Sequence, residues 1–174
     1  MRPDQPTRVV NIHREKGTRY IGRAGHGEDG LFGNPFALDA KRRHEPAHVA
    51  QVLGRYVRYF LARVASDHPW RRAVLDLRGE ALGCFCVGPE GDGACHGKII
   101  AAWLDVPEGS GDDVRLVAVQ RALDTMIAEA RAEAERRRTA RREHMQQRAF
   151  HFGGEDAAPW EGEDDESAEE GAKR

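Results

Sequence analysis

The sequence predicts a small α/β domain, in two or three layers around a short parallel or mixed sheet, followed by a long charged helix. Three observations carry this. Short β-branched or apolar runs stand at "TRVVNIH" (7–13), at Tyr20-Ile21 and at "EALGCFC" (80–86). Between them Val49, Val52, Leu53, Tyr56, Val57, Phe60 and Val64 recur at three- and four-residue spacing, the period of one helix face. Finally, "GCFC" leads through a loop into "HGKIIAAWLD", and strand, loop, helix in that order is the unit from which α/β domains are built.

Val9, Val10 and Ile12 make the first strand, and Tyr20-Ile21, closed by Gly22, the second. From Gly22 to Phe36 glycine is so dense that a shaped loop replaces any regular element. Pro46 suits a first helical position. A second, short helix is expected from Pro69, behind Asp67 or His68, to Gly79. Ile99, Ile100, Trp103 and Leu104 form the packing side of the helix after Cys95. The expected divisions are a leader at 1–7, the α/β domain at 8–105, a linker "VPEGSGDD" at 106–113, a charged helix at 114–150 and a disordered acidic tail at 151–174. The helix is apolar at Val114, Val117, Leu123, Met126, Ile127 and Ala130.

The net charge of −2 averages a basic segment and an acidic one that lie side by side, so its distribution says more than its sum. No apolar run is long enough for a signal peptide or a membrane span. Three clustered cysteines in 174 residues argue against a secreted disulfide framework and fit a reducing, cytoplasmic setting.

All three cysteines fall in "GCFCVGPEGDGACHGK" (83–98). On a strand Cys84 and Cys86 present their sulfurs on one face; Cys95 and His96, returning across a glycine-rich loop, complete a Cys3His set of the kind that holds structural zinc. The spacing is not that of a C-x2-C knuckle. A second reading places a reactive Cys95 at the helix start, where free N–H groups and Lys98 stabilise an anion, whether thiolate or phosphate. A third makes the cysteines small buried apolar residues.

In "YIGRAGHGEDGLFGNPF" Gly22 and Gly33 allow close backbone approach, Arg23 can fork onto a carboxylate or phosphate, and Asn34 offers donor and acceptor, though a surface turn accounts for the spacing equally well. "RAEAERRRTARREHMQQR" sets seven arginines, from Arg131 to Arg148, against three glutamates. It reads as a nucleic-acid contact, as a helix for protein partners, or as a solvated charged helix.

Taken in order, "VVNIHR", "YIGR…GNPF" and "GCFC…CHGK" resemble a family of small bacterial and phage proteins known as domain-of-unknown-function family four-three-two-six, over roughly residues 8–104. The resemblance implies that Tyr20, Gly22, Arg23, Gly33, Asn34, Pro35, Cys84, Cys86, Cys95, His96 and Gly97 are motif positions of one site. Two departures stand out: a longer link between the cysteine pieces, and Lys98 where an acidic residue is common. The resulting expectation is a phosphate-bearing, nucleotide-like ligand bound by Gly22, Arg23, Gly33, Asn34 and Lys98. Any hydrolase or transferase chemistry falls to Cys95 as nucleophile or His96 as general acid/base. The rival is a zinc-stabilised accessory module that holds nucleic acid through its arginine-rich helix.

Overall fold

The computed structural model describes residues 5–152 other than 26, 40 and 43. In chain order the elements are β1 (Arg8–Asn11), β2 (Arg19–Tyr20), α1 (Pro46–Ser66), α2 (His68–Leu75), β3 (Ala81–Cys84), α3 (His96–Leu104) and α4 (Asp112–Phe152). The fold is the predicted small α/β type, with a three-stranded sheet of order β1-β3-β2 that is parallel throughout.

Register explains how β1 and β2 can be parallel with only residues 12–18 between them. Asn11 pairs with Cys84 and Arg19 with Leu82, so the chain retreats by only two residues along β3 before entering β2. The connecting segment lies across β3 at Gly83, where a methyl group would collide with the Thr18 side chain. Leu82 and Cys84, which alternate with Gly83, are buried in the core instead.

The apolar face of α1 buries Val49, Leu53, Tyr56 and Phe60. Asp67 ends α1 and caps α2, its carboxylate accepting from the Trp70 N–H at 3.0 Å. The second helix stops at Leu75 rather than running to Gly79; a turn fills the gap, and Gly79 takes the left-handed conformation at φ +73°. Phe60 packs edge-on against both Trp70 and Trp103, with centroids at 5.6 and 5.8 Å. α3 lies so close to β1 that a Cβ on Gly97 would sit 2.6 Å from Ile21 Cδ1 and 2.9 Å from Val9 Cγ1.

The core continues past residue 105, because α4 adds Val119, Leu123, Met126 and Ala130 to it. Val114 and Val117, part of the apolar stripe read from the sequence, are instead about half exposed. Buried Arg115 takes the inner position there, donating to the Trp103 carbonyl at 2.6 Å with its guanidinium 4.4 Å from that ring's centroid. The described residues up to Arg137 form one compact unit, and those from Arg138 a second. In the second unit α4 is helical to Phe152 with exposed side chains over 138–148, and the acidic tail lies, from residue 153, outside the described residues.

Candidate metal centre and adjoining cavity

β3 delivers Cys84 at its carboxyl end, Cys86 follows two residues later, and the chain returns through a glycine loop to α3. That loop closes with Gly88 N–H donating to Asp92 O at 2.9 Å, and it uses Gly91 and Gly93 at φ +79° and +78°. Cys95 caps α3, its sulfur accepting from the Gly97 N–H at 3.4 Å, and its own N–H donates to Met126 Sδ. The result is convergence: the sulfurs of Cys84, Cys86 and Cys95 and one nitrogen of His96 lie within 4.8 Å of one another. Cys84 and Cys86 sulfurs are 2.9 Å apart, and those of Cys86 and Cys95 3.0 Å. Both separations exceed a disulfide bond of about 2.05 Å, and all three cysteines are free.

His96 is oriented by its far nitrogen. Nε2–H donates to the Ile21 carbonyl at 2.8 Å, which turns Nδ1 toward Cys86 (3.7 Å) and Cys84 (4.0 Å). A backbone carbonyl fixing the outer nitrogen is the support that metal-ligating histidines carry. In a zinc tetrahedron, bond lengths of about 2.3 Å to sulfur and 2.05 Å to nitrogen put S···N edges near 3.6 Å and S···S edges near 3.8 Å. The imidazole nitrogen stands within about 0.4 Å of that distance from Cys86 and Cys84, and the Cys84–Cys86 and Cys86–Cys95 sulfur pairs need to part by less than about 1 Å. The donor set and its support therefore fit a metal ion.

Charge in the cluster is strongly perturbed. Hydrogen bonds from Cys86 and Cys95 hold the Cys84 thiol far below the usual range, against the opposing effect of burial. The same bonds to Cys84 and Cys86, with burial, push Cys95 up. Burial by itself depresses His96, but the Cys84 and Cys86 sulfurs beside Nδ1 outweigh it and raise the imidazole to about 10. A cation arriving among the sulfurs would displace that proton. Tyr56 stands edge-on to His96 at 5.2 Å, and its hydroxyl is buried without a hydrogen-bond partner among the described residues.

Cys84, Cys86 and His96 also line a cavity of about 410 Å³ whose other wall is formed by Tyr20, Gly22, Arg23, Asn34 and Phe36, with Phe85 beside the cysteines. Gly22 and Gly33 make this wall possible. A Cβ on Gly22 would strike the Tyr20 ring, and one on Gly33 would lie 2.7 Å from the Gly22 carbonyl oxygen. Asn34 accepts from the Phe36 N–H at 2.8 Å through Oδ1, so its orientation is set and its amide NH2 remains as donor. Arg23 has no ion pair among the described residues, although the Tyr20 hydroxyl donates to its carbonyl at 2.9 Å. The guanidinium of Arg55 covers the Phe36 ring at 4.2 Å.

Of the predicted site residues, the structure thus brings Gly22, Arg23, Asn34, Cys84, Cys86 and His96 to one cavity, with Gly33 supporting it from behind. Lys98 does not join them: it points to α4 and pairs with Glu129 at 3.5 Å. Cys95 is fully buried behind the cavity. On α4, Arg136 and Arg137 both pair with Glu133. Sequence reasoning missed Phe85, Phe36 and Tyr56. Phe85 was legible, since a residue between two same-facing cysteines on an extended segment must face the other way.

Comparison with curated proteins and with solved structures returned no match. Residues 5–106, which carry the sheet, three helices and every residue of the metal cluster and cavity, match the domain of unknown function DUF4326, and the chain belongs to that family.

Proposed function

We propose that the protein is a zinc-stabilised binding module. Cys84, Cys86, Cys95 and His96 hold one zinc ion, and the cavity beside it takes a phosphate-bearing, nucleotide-like ligand. The observation that carries this reading is the double use of one surface: Cys84, Cys86 and His96 belong both to the four-donor cluster and to the cavity lining. Four protein donors leave no open coordination position, which is the arrangement of a structural ion. Cys95 and His96 are then ligands rather than nucleophile and general acid/base. The ion's work is to clamp the end of β3 to the start of α3, which sets the cavity wall.

Anion preference is supported by comparing cavities. A second, of about 310 Å³, sets Asp92, Glu129 and Glu133 beside Arg136 and Arg137, and a third sets Glu28, Asp29 and Asp76 beside Arg19, whereas this one presents Arg23 with no carboxylate among the described residues that line it. Tyr20, Phe36 and Phe85 supply ring faces for a base, and Asn34 supplies amide donors. Elemental analysis of purified protein is expected to give about one zinc per chain. Nucleoside phosphates are expected to raise the melting temperature, with a smaller rise at the same ligand concentration for Arg23→Ala. A chain without metal would overturn the zinc reading, and no shift with any nucleotide would overturn the ligand.

A further inference from the structure

We infer that the cavity is one end of a longer groove for single-stranded nucleic acid, with Phe85 as the face on which a base stacks. This rests on the nucleotide-like reading of the cavity and names its ligand as a polymer. Phe85 is 47% exposed, a large ring left in water at the edge of a site. It lines the cavity, and it also meets His13 with centroids 5.1 Å apart and Tyr20 at 6.1 Å. His13 is not part of the cavity lining, so the ring surface continues from the cavity outward.

The turn that carries His13 is held in place rather than loose. Arg14 and Glu15 donate their N–H groups to the Asn11 carbonyl at 2.9 and 3.2 Å, and the His13 N–H donates to Asn11 Oδ1 at 2.9 Å. Asn11 Nδ2 in turn donates to the Val87 carbonyl at 2.8 Å, tying the turn to the segment just past Cys86. Arg14 and Lys16 follow on the same connection, exposed and without ion pairs among the described residues, while the one carboxylate between them, Glu15, is occupied by Arg8. Among the described residues, unpaired cations thus occur on both segments that carry the rings, Arg14 and Lys16 just after His13 in the chain and Arg23 within the cavity. A free nucleotide needs only one of them, whereas successive phosphates of a strand use several. Stacking accepts any base with a free face, which a single strand offers and a duplex keeps to itself. A zinc ion with three thiolates carries one net negative charge, which favours a base over a phosphate beside the cysteines and leaves the phosphate to Arg23.

The test is fluorescence anisotropy on the full chain with labelled single strands of about ten nucleotides, in DNA and RNA forms. A duplex of the same length and the corresponding mononucleotide serve as competitors. The single strand is expected to bind at least about tenfold more tightly than the mononucleotide and more tightly than the duplex, with affinity falling as salt rises. Phe85→Leu and His13→Ala are each expected to weaken the strand about fivefold or more, with Phe85→Trp retaining it. Metal content and melting temperature check each variant's fold, and His13→Ala, in an exposed turn, carries the test if Phe85→Leu is destabilised. A mononucleotide or duplex that binds as tightly as the strand, or a His13→Ala protein unchanged toward it, overturns the groove and leaves the cavity reading standing. Binding of neither mononucleotide nor strand overturns both.

Discussion

On the proposed zinc reading, Cys84→Ser removes one ligand of the ion. The side chain is buried at the end of β3, and a hydroxyl nearly matches the thiol in size, so the volume changes little and the residual packing cost is that of a buried hydroxyl. What is lost is the linkage between metal binding and folding. With free zinc about a thousandfold above its Kd, that linkage contributes about 4 kcal/mol. For a domain of this length each kcal/mol corresponds to roughly 2–4 °C, so the melting temperature is expected to fall by about 8–16 °C. Loss of all structure is not expected, because Phe60, Trp70 and Trp103 pack together without the cluster. Differential scanning calorimetry with and without a strong chelator reads this out. Chelation should lower the unsubstituted protein to about the melting temperature of Cys84→Ser and leave the variant unmoved, with zinc counted in both. A variant that retains a full complement of zinc, or an unsubstituted protein whose melting ignores the chelator, would refute the reasoning.

Arg23→Ala is expected to weaken nucleotide binding by roughly tenfold to a hundredfold, the loss of charge-assisted hydrogen bonds worth about 1.5–3 kcal/mol, whereas Lys98→Ala should leave it unchanged, as titration calorimetry would show. Two glycines separate close approach from open space. Gly33→Ala drives a methyl against the Gly22 and Arg23 backbone and should both destabilise the protein and close the cavity, while Gly54→Ala, in the interior of α1 with nothing within 4 Å, should stabilise by about 0.5–1 kcal/mol in denaturant titrations. Asp67→Ala should lower the melting temperature and Asp67→Asn restore most of it, since both Asp and Asn cap the Trp70 N–H. The Trp70 N–H and Arg63 hold the Asp67 carboxyl below its ordinary value, so its contribution is present above that value and lost as the pH falls through the lowered one. The Asp67→Asn protein should therefore lose less stability on acidification than the unsubstituted protein.

Much of the architecture was legible because it is written in neighbouring residues. The spacing of Val49, Leu53, Tyr56 and Phe60 specifies a helix face, Pro46 its start, and "GCFC…CHGK" a strand handing over to a helix. Local pattern misled where a partner decides the outcome. Val114 and Val117 read as apolar positions of the long helix, yet Arg115 takes the inner position there, where Trp103 offers it both a carbonyl and a ring face. Lys98 read as an anion ligand, yet Glu129, thirty-one residues away in the chain, claims it.

The sequence by itself determined which residue types are available: three cysteines and a histidine within thirteen positions, and glycines that permit close approach in "YIGR…GNPF". Only the tertiary structure decided that these segments meet, and in what order of depth. β3 lies between β1 and β2, so its carboxyl end, with Cys84, emerges beside the loop that follows β2. The Ile21 carbonyl can then reach Nε2 of His96, seventy-five residues later, and turn Nδ1 toward the sulfurs. Such a contact leaves no trace in local periodicity, because strand order and register are set by the burial of whole faces rather than by any short run of residues.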